Sequence, residues 1–148
     1  MHEISRIEMV PFAPEQMFDL VKDIESYPEF LPWCRAAKIL RRTEQGVIAS
    51  LSIAKGKIQH SFTTENLNAS NNSQIEMRLV DGPFKQFHGF WRFEPIESGC
   101  KVALNLRFEF ASRLIAFGLA PVFKVITGTM VEAFRDRAFN VYKDNQPI

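Results

Sequence analysis

Near the C-terminal end of the chain, apolar residues recur at helical spacing. Steps of three and four from Leu119 reach Val122 and Phe123, Ile126, Met130, Ala133 and Phe134, Arg137 and Val141. That period predicts one long helix over residues 112–142 with a buried stripe. Glu132, Asp136, Asn140 and Lys143 fall on its other side. Pro121 is expected to start the regular helix or to kink it, leaving 112–120 as a separate hinged segment. A stripe this long needs a large apolar surface to cover.

The preceding sequence supplies that surface, because its apolar residues mostly alternate. Residues 3–11 predict a first strand, and Pro14 opens a short helix with Met17, Leu20, Val21 and Ile24 as its apolar face. Residues 27–34 hold two prolines, which exclude a long helix. They also hold four large apolar side chains, so they are expected to pack as a flap, with Trp33 inside. Strands are predicted at 35–42, 47–54, 58–65, 74–80, 84–94 and 101–110. Their expected inward positions are His60 and Phe62, then Met77, then Phe87, Trp91 and Phe93, then Leu106 and Phe108. Asn and Ser residues at 66–73 predict a turn. A strand, one or two short helices, about six strands and a long helix give an α+β fold in one domain, 1–148. The expected architecture is a curved antiparallel sheet closed over the long helix. A gap on its concave side would be a ligand pocket.

Composition adds one bias. Phe accounts for 14 of 148 residues, against 2 Trp and 2 Tyr, which fits either a wide apolar interior or simply a Phe-rich core. The formal net charge of +1 gives no strong field toward nucleic acid or membrane. Cys34 and Cys100 show no metal-ligand spacing and are expected to be free thiols in a reducing, cytoplasmic setting. The first residues lack the apolar run of a signal peptide, and no uninterrupted apolar run reaches the ~18 residues of a membrane span.

Catalytic signatures are absent from the sequence. There is no Gly-x-Ser-x-Gly, no HExxH, no phosphate-binding glycine loop and no metal cluster. His60 is the one histidine expected to point inward, as a hydrogen-bonded core residue or a polar cavity group. Arg137 interrupts the apolar stripe. It must snorkel, pair with a carboxylate or mark the polar mouth of a cavity. Arg35, Lys38, Arg41, Arg42, Lys55 and Lys57 cluster in sequence and are either a solvated face or a contact for RNA or the ribosome.

Five motifs then occur in register. They are Tyr27-Pro28-Glu29-Phe30-Leu31-Pro32-Trp33-Cys34, Leu79-Val80-Asp81-Gly82-Pro83-Phe84, Gly89-Phe90-Trp91-Arg92-Phe93-Glu94-Pro95, Phe108-Glu109-Phe110, and Met130-Val131-Glu132-Ala133-Phe134-Arg135-Asp136-Arg137-Ala138. Together they resemble the family of bacterial ribosome-association toxins of the RatA type and mitochondrial coenzyme Q-binding proteins. That family lies within the START-like, helix-grip superfamily, which includes polyketide cyclases and aromatases. The resemblance implies a non-enzymatic protein needing no cofactor. It would hold ubiquinone or a similar isoprenoid lipid and support respiration. It also implies the large ribosomal subunit and a small antitoxin protein as partners, and transient membrane contact. A cyclase-like enzyme using the same cavity is the alternative. The expected lining is Trp33, His60, Phe62, Met77, Phe87, Trp91, Phe93, Leu106 and Phe108 from the flap and sheet. From the helix it is Leu119, Phe123, Ile126, Met130, Phe134 and Arg137.

Overall fold

A computed structural model describes residues 1–142. The elements are β1 (His2–Val10), α1 (Pro14–Lys22), a 3-10 helix (Ile24–Glu29), β2 (Cys34–Arg42), β3 (Gly46–Lys55), β4 (Ile58–Asn68), β5 (Gln74–Asp81), β6 (Phe84–Ile96), β7 (Gly99–Phe110) and α2 (Arg113–Val141). Seven strands make one antiparallel sheet in the order β1-β7-β6-β5-β4-β3-β2. The meander from β2 to β7 needs only short turns. A single long connection, through α1 and the 3-10 helix, carries the chain from one edge strand to the other. The fold is the helix grip, with α2 held on the concave side of the sheet.

Alternation sets the faces. On β7, Val102, Leu104, Leu106, Phe108 and Phe110 are buried under α2, while Arg107 stands in solvent. Gly89 on β6 lies opposite Leu106 on β7. A Cβ at Gly89 would lie 2.5 Å from Leu106 Cδ2 and 2.8 Å from Met77 Cε, so its bare backbone makes room for those two side chains. The core gathers around Trp91 and Phe134, whose rings meet edge-on at 5.2 Å, both almost fully buried. α1 begins with Pro14, and Gln16 accepts a hydrogen bond from the Ala13 backbone N–H at 2.9 Å. Its Phe18 packs edge-on against Phe93.

Three expectations are corrected. First, β4 extends through Asn68, so Asn66 is a strand residue and not part of a turn. Asn66 pairs with Val47 on one side and Met77 on the other, and this two-sided ladder overrides the poor strand propensity of Asn. Second, α2 is one continuous helix through Pro121, with no separate hinged segment. Pro121 and Phe117 are both exposed, so the carbonyl that loses its helical partner faces water. Ser112 caps the start, its Oγ accepting from Ile115 N at 3.1 Å. Third, α2 is long and apolar enough to cross a bilayer by length and composition, because such a span tolerates the interruptions at Gly118, Pro121 and Lys124. One face of it nonetheless packs into the sheet.

Candidate functional site

The space between sheet and α2 is filled at one end and hollow at the other. At the filled end, Phe62, Phe84, Phe87, Phe108, Phe110 and Phe123 make a continuous aromatic cluster. Phe108 meets Phe123 edge-on at 4.7 Å and Phe84 meets Phe123 at 5.3 Å. Edge-on packing satisfies the ring quadrupoles and needs no polar partner.

The hollow end is an internal cavity. Its volume is about 50 Å³. The space is therefore too small for a ring or a lipid chain unless wall side chains move. Its floor is Ala49, Leu51 and Ile53 on β3, Phe62, Thr64 and Asn66 on β4, Met77 on β5, Phe87 and Trp91 on β6, and Leu104 and Leu106 on β7. Phe123, Ile126 and Met130 of α2 form the roof, and Ile24, Tyr27 and Trp33 close the side. Met77 and Met130 are the adaptable walls, since a thioether chain changes rotamer at low cost.

Polar groups in this lining are few. Thr64 Oγ1 donates to Asn66 Oδ1 at 2.8 Å, and both side chains come from the inner face of β4. The Tyr27 hydroxyl donates to the Val21 carbonyl at 2.5 Å. Burial, then the negative ends of Cys34 and Asp23, push its phenol well above the ordinary range, so it stays protonated. Nearby Cys34 is buried, and burial raises its thiol to about 11. The lining contains no carboxylate, histidine, lysine or arginine.

Of the side chains expected to line a cavity, Trp33, Phe62, Met77, Phe87, Trp91, Leu106, Phe123, Ile126 and Met130 do so. Phe93, Leu119 and Phe134 are packed core instead, and Phe108 packs on Phe123 and borders the separate groove between α2 and β1. His60 does not reach the cavity. It shares the inner face of β4 with Phe62 and lies opposite Ile53, but near the β3–β4 turn, where it is half exposed. Arg137 does not line it either. Its Nη2 donates to Glu29 Oε1 at 3.0 Å, and its guanidinium lies 4.9 Å from the Phe30 ring centre. Pairing, not a polar mouth, is the outcome for this arginine. Sequence reasoning missed Ile24, Tyr27, Ala49, Leu51, Ile53, Thr64 and Leu104 as lining, although the alternation of those on strands was legible. It missed Asn66 because that residue was assigned to a turn.

Ion pairs on the outer surface gather on β1 and β5–β7 and are missing from β2 among the described residues. On β1 and β5–β7, Glu76 holds Arg78 and His88, Lys101 meets Glu94, and Arg107 meets Glu3. Arg35, Lys38, Arg41 and Arg42 on edge strand β2, and Lys55 and Lys57 beside the β3–β4 turn, make no ion pair among the described residues. β2 carries register shifts between Cys34 and Ala36 and between Ile39 and Arg41. The second shift places Arg41 opposite Ile48, on the same outward face as Lys38 opposite Ser50, and moves Arg42 to the other face.

Residues 10–135 match the family model described as polyketide cyclase / dehydrase and lipid transport. The ribosome association toxin RatA of Escherichia coli is 44% identical over 143 residues, which span 96% of this chain and 90% of that protein. The mitochondrial coenzyme Q-binding protein COQ10 homolog B of Xenopus laevis is 29% identical over 95% of this chain and 59% of that protein. Among solved structures, the Zhui aromatase/cyclase of a Streptomyces superposes with a TM-score of 0.82, covering 93% of each chain at 13% identity, a likeness of fold.

Proposed function

This chain belongs to the polyketide cyclase / dehydrase and lipid transport family, and from that premise we propose that it binds an isoprenoid quinone, ubiquinone first, without transforming it. The observation that carries the reading is the chemistry of the cavity wall: apolar but for the Thr64–Asn66 pair at β4 and the Tyr27 hydroxyl, which is tied to the Val21 carbonyl. An isoprenoid tail gains roughly 0.8 kcal/mol for each methylene it buries in such a space. A quinone ring carries two carbonyl acceptors, and the amide NH2 of Asn66 is a suitable donor. Because the cavity holds only about 50 Å³, a quinone ring enters only if flexible wall side chains such as Met77 and Met130 move aside. A cyclase in the same cavity would need an acid or base beside the substrate. The lining offers only Tyr27, protonated and tied to Val21, which favours binding over turnover.

The deciding experiment is extraction of the purified protein with organic solvent, lipid identification by mass spectrometry, and titration with added ubiquinone. Saturable binding at one site per chain is expected. Absence of both bound quinone and saturable uptake overturns the reading.

A second reading uses the outside. The likeness to RatA and the unpaired cations of β2 support contact with the large ribosomal subunit, which would place the protein in the cytoplasm. In sucrose-gradient sedimentation, the protein should shift 70S ribosomes toward free subunits. Lys38→Glu with Arg41→Glu should abolish that shift. An unchanged subunit ratio with the wild-type protein removes this reading and leaves the quinone reading intact.

A further inference from the structure

The two most exposed large apolar residues in the described chain are Leu114, 81% exposed, and Phe117, 87% exposed. They stand one turn apart at the start of α2. The same outward face continues through Pro121 to Val125, which is 42% exposed. Helix starts do not ordinarily leave a phenylalanine in water, and a run of exposed apolar side chains marks a surface meant to be covered.

The charge around the first half of this helix is basic, with acidic residues only beyond Val131 on α2. From Ala111 to Val131 the chain contains Arg113 and Lys124 and no acidic residue. Lys124 lines a groove between α2 and β1 together with Arg6. On the other flank, the β3–β4 turn brings Lys55 and Lys57. Ile58 Cδ1 would lie 3.4 Å from a Cβ placed on Gly118, which fixes that hairpin against the first half of α2. None of these five cations makes an ion pair among the described residues. Elsewhere on the surface, most glutamates of β1 and β5–β7 are paired, as described above.

We infer that the first half of α2, with the β3–β4 turn, docks on the surface of an anionic phospholipid bilayer. Leu114, Phe117 and Val125 enter the interfacial region, and Arg6, Lys55, Lys57, Arg113 and Lys124 meet the headgroups. Apolar side chains ringed by cations are the arrangement that binds in the plane of such an interface. An RNA partner would use the cations but would gain little from Leu114 and an aliphatic flank. Glu132 and Asp136 mark where the basic region ends on α2, so the start of the helix faces the lipid. The surface also leads inward. Val125 and Lys55 border a groove that reaches Trp33, with Glu132 and Asp136 on its far side turned from the headgroups, and Trp33 lines the internal cavity as well. The docked face therefore lies next to the side chain that separates the cavity from solvent.

The inference goes beyond the quinone reading and is tested without quinone. The full chain is sedimented with vesicles of phosphatidylcholine alone and of phosphatidylcholine with phosphatidylglycerol. Binding to the mixed vesicles is expected, weakened by added salt. Lys55→Gln with Lys57→Gln should weaken it about fivefold per cation removed. Leu114→Ser with Phe117→Ser should weaken it at least tenfold, the cost of losing two inserted apolar side chains. Both positions are exposed, so this variant should melt as the wild type does. A blue shift of Phe117→Trp emission on adding mixed vesicles would support the same insertion. No binding to mixed vesicles overturns the inference, and so does equal binding by Leu114→Ser with Phe117→Ser. A wild-type dimer that this variant splits would assign the face to a second copy of the chain, and would overturn it too.

Discussion

Arg137 on α2 donates to Glu29 Oε1 across 3.0 Å, and so ties the end of the 3-10 helix to the helix that roofs the cavity. The same guanidinium lies over the Phe30 ring at 4.9 Å. The arginine inside the apolar stripe is thus a clamp on the segment that closes the cavity's side.

Arg137→Ala should lower stability by about 1 kcal/mol, the sum of a modest ion pair and a cation–π contact. Glu29 is well exposed, so Glu29→Ala should cost less than that. Urea denaturation measures both. Hydrogen exchange at residues 30–33 should rise in Arg137→Ala, whereas a merely solvated arginine would leave it unchanged.

Asn66 holds the polar end of the cavity. Asn66→Leu should weaken ubiquinone binding roughly fivefold, the value of one hydrogen bond, while leaving a purely hydrocarbon isoprenoid unaffected. Competition binding with the two ligands separates these cases. Equal losses for both would mean that shape, not the head group, is read at this end.

Gly89 keeps space for the cavity wall. Gly89→Ala places a methyl within 2.5 Å of Leu106 Cδ2 and 2.8 Å of Met77 Cε, and both side chains must shift toward the cavity. The expected result is a loss of about 1–3 kcal/mol in stability from overpacking and a lower capacity for added quinone. Denaturation and ligand titration on the same preparation measure the two effects.

Cys34 and Cys100 titrate high because both thiols are buried, each raised from an ordinary 9.0 to about 11. Folding favours their neutral form, so their contribution is whole below pH 9 and is lost as pH rises toward about 11. Tyr27, raised from 10.0, steepens the fall above that value. Unfolding free energy should therefore decline across this alkaline window. Cys34→Ala with Cys100→Ala should flatten the part of the slope between about 9 and 10. At neutral pH, iodoacetamide should label neither thiol until the protein unfolds.

Alternation and helical period alone determined the order of elements, the inward faces of β6 and β7 and the buried side of α2. Those signals are local, because a side chain's direction follows from its own strand or helix. The sequence also placed nine of the lining residues, Trp91 and Met130 among them, since facing inward is most of what lining requires. Tertiary structure decided the rest. Which inward residues are core and which face a void depends on how closely α2 approaches each part of the sheet, and so Phe134 and Phe108 are packed while Met77 is not. The partner of Arg137 lies 108 positions away on another element. Asn66 became a strand residue because Val47 and Met77 pair with it, a non-local gain that outweighs local propensity. The bulge on β2, which puts Arg41 beside Lys38, exists only once β3 is laid against it. Leu114 and Phe117 are the reverse case. Their character was visible in the sequence, but only the packed structure shows that nothing else in the described chain covers them.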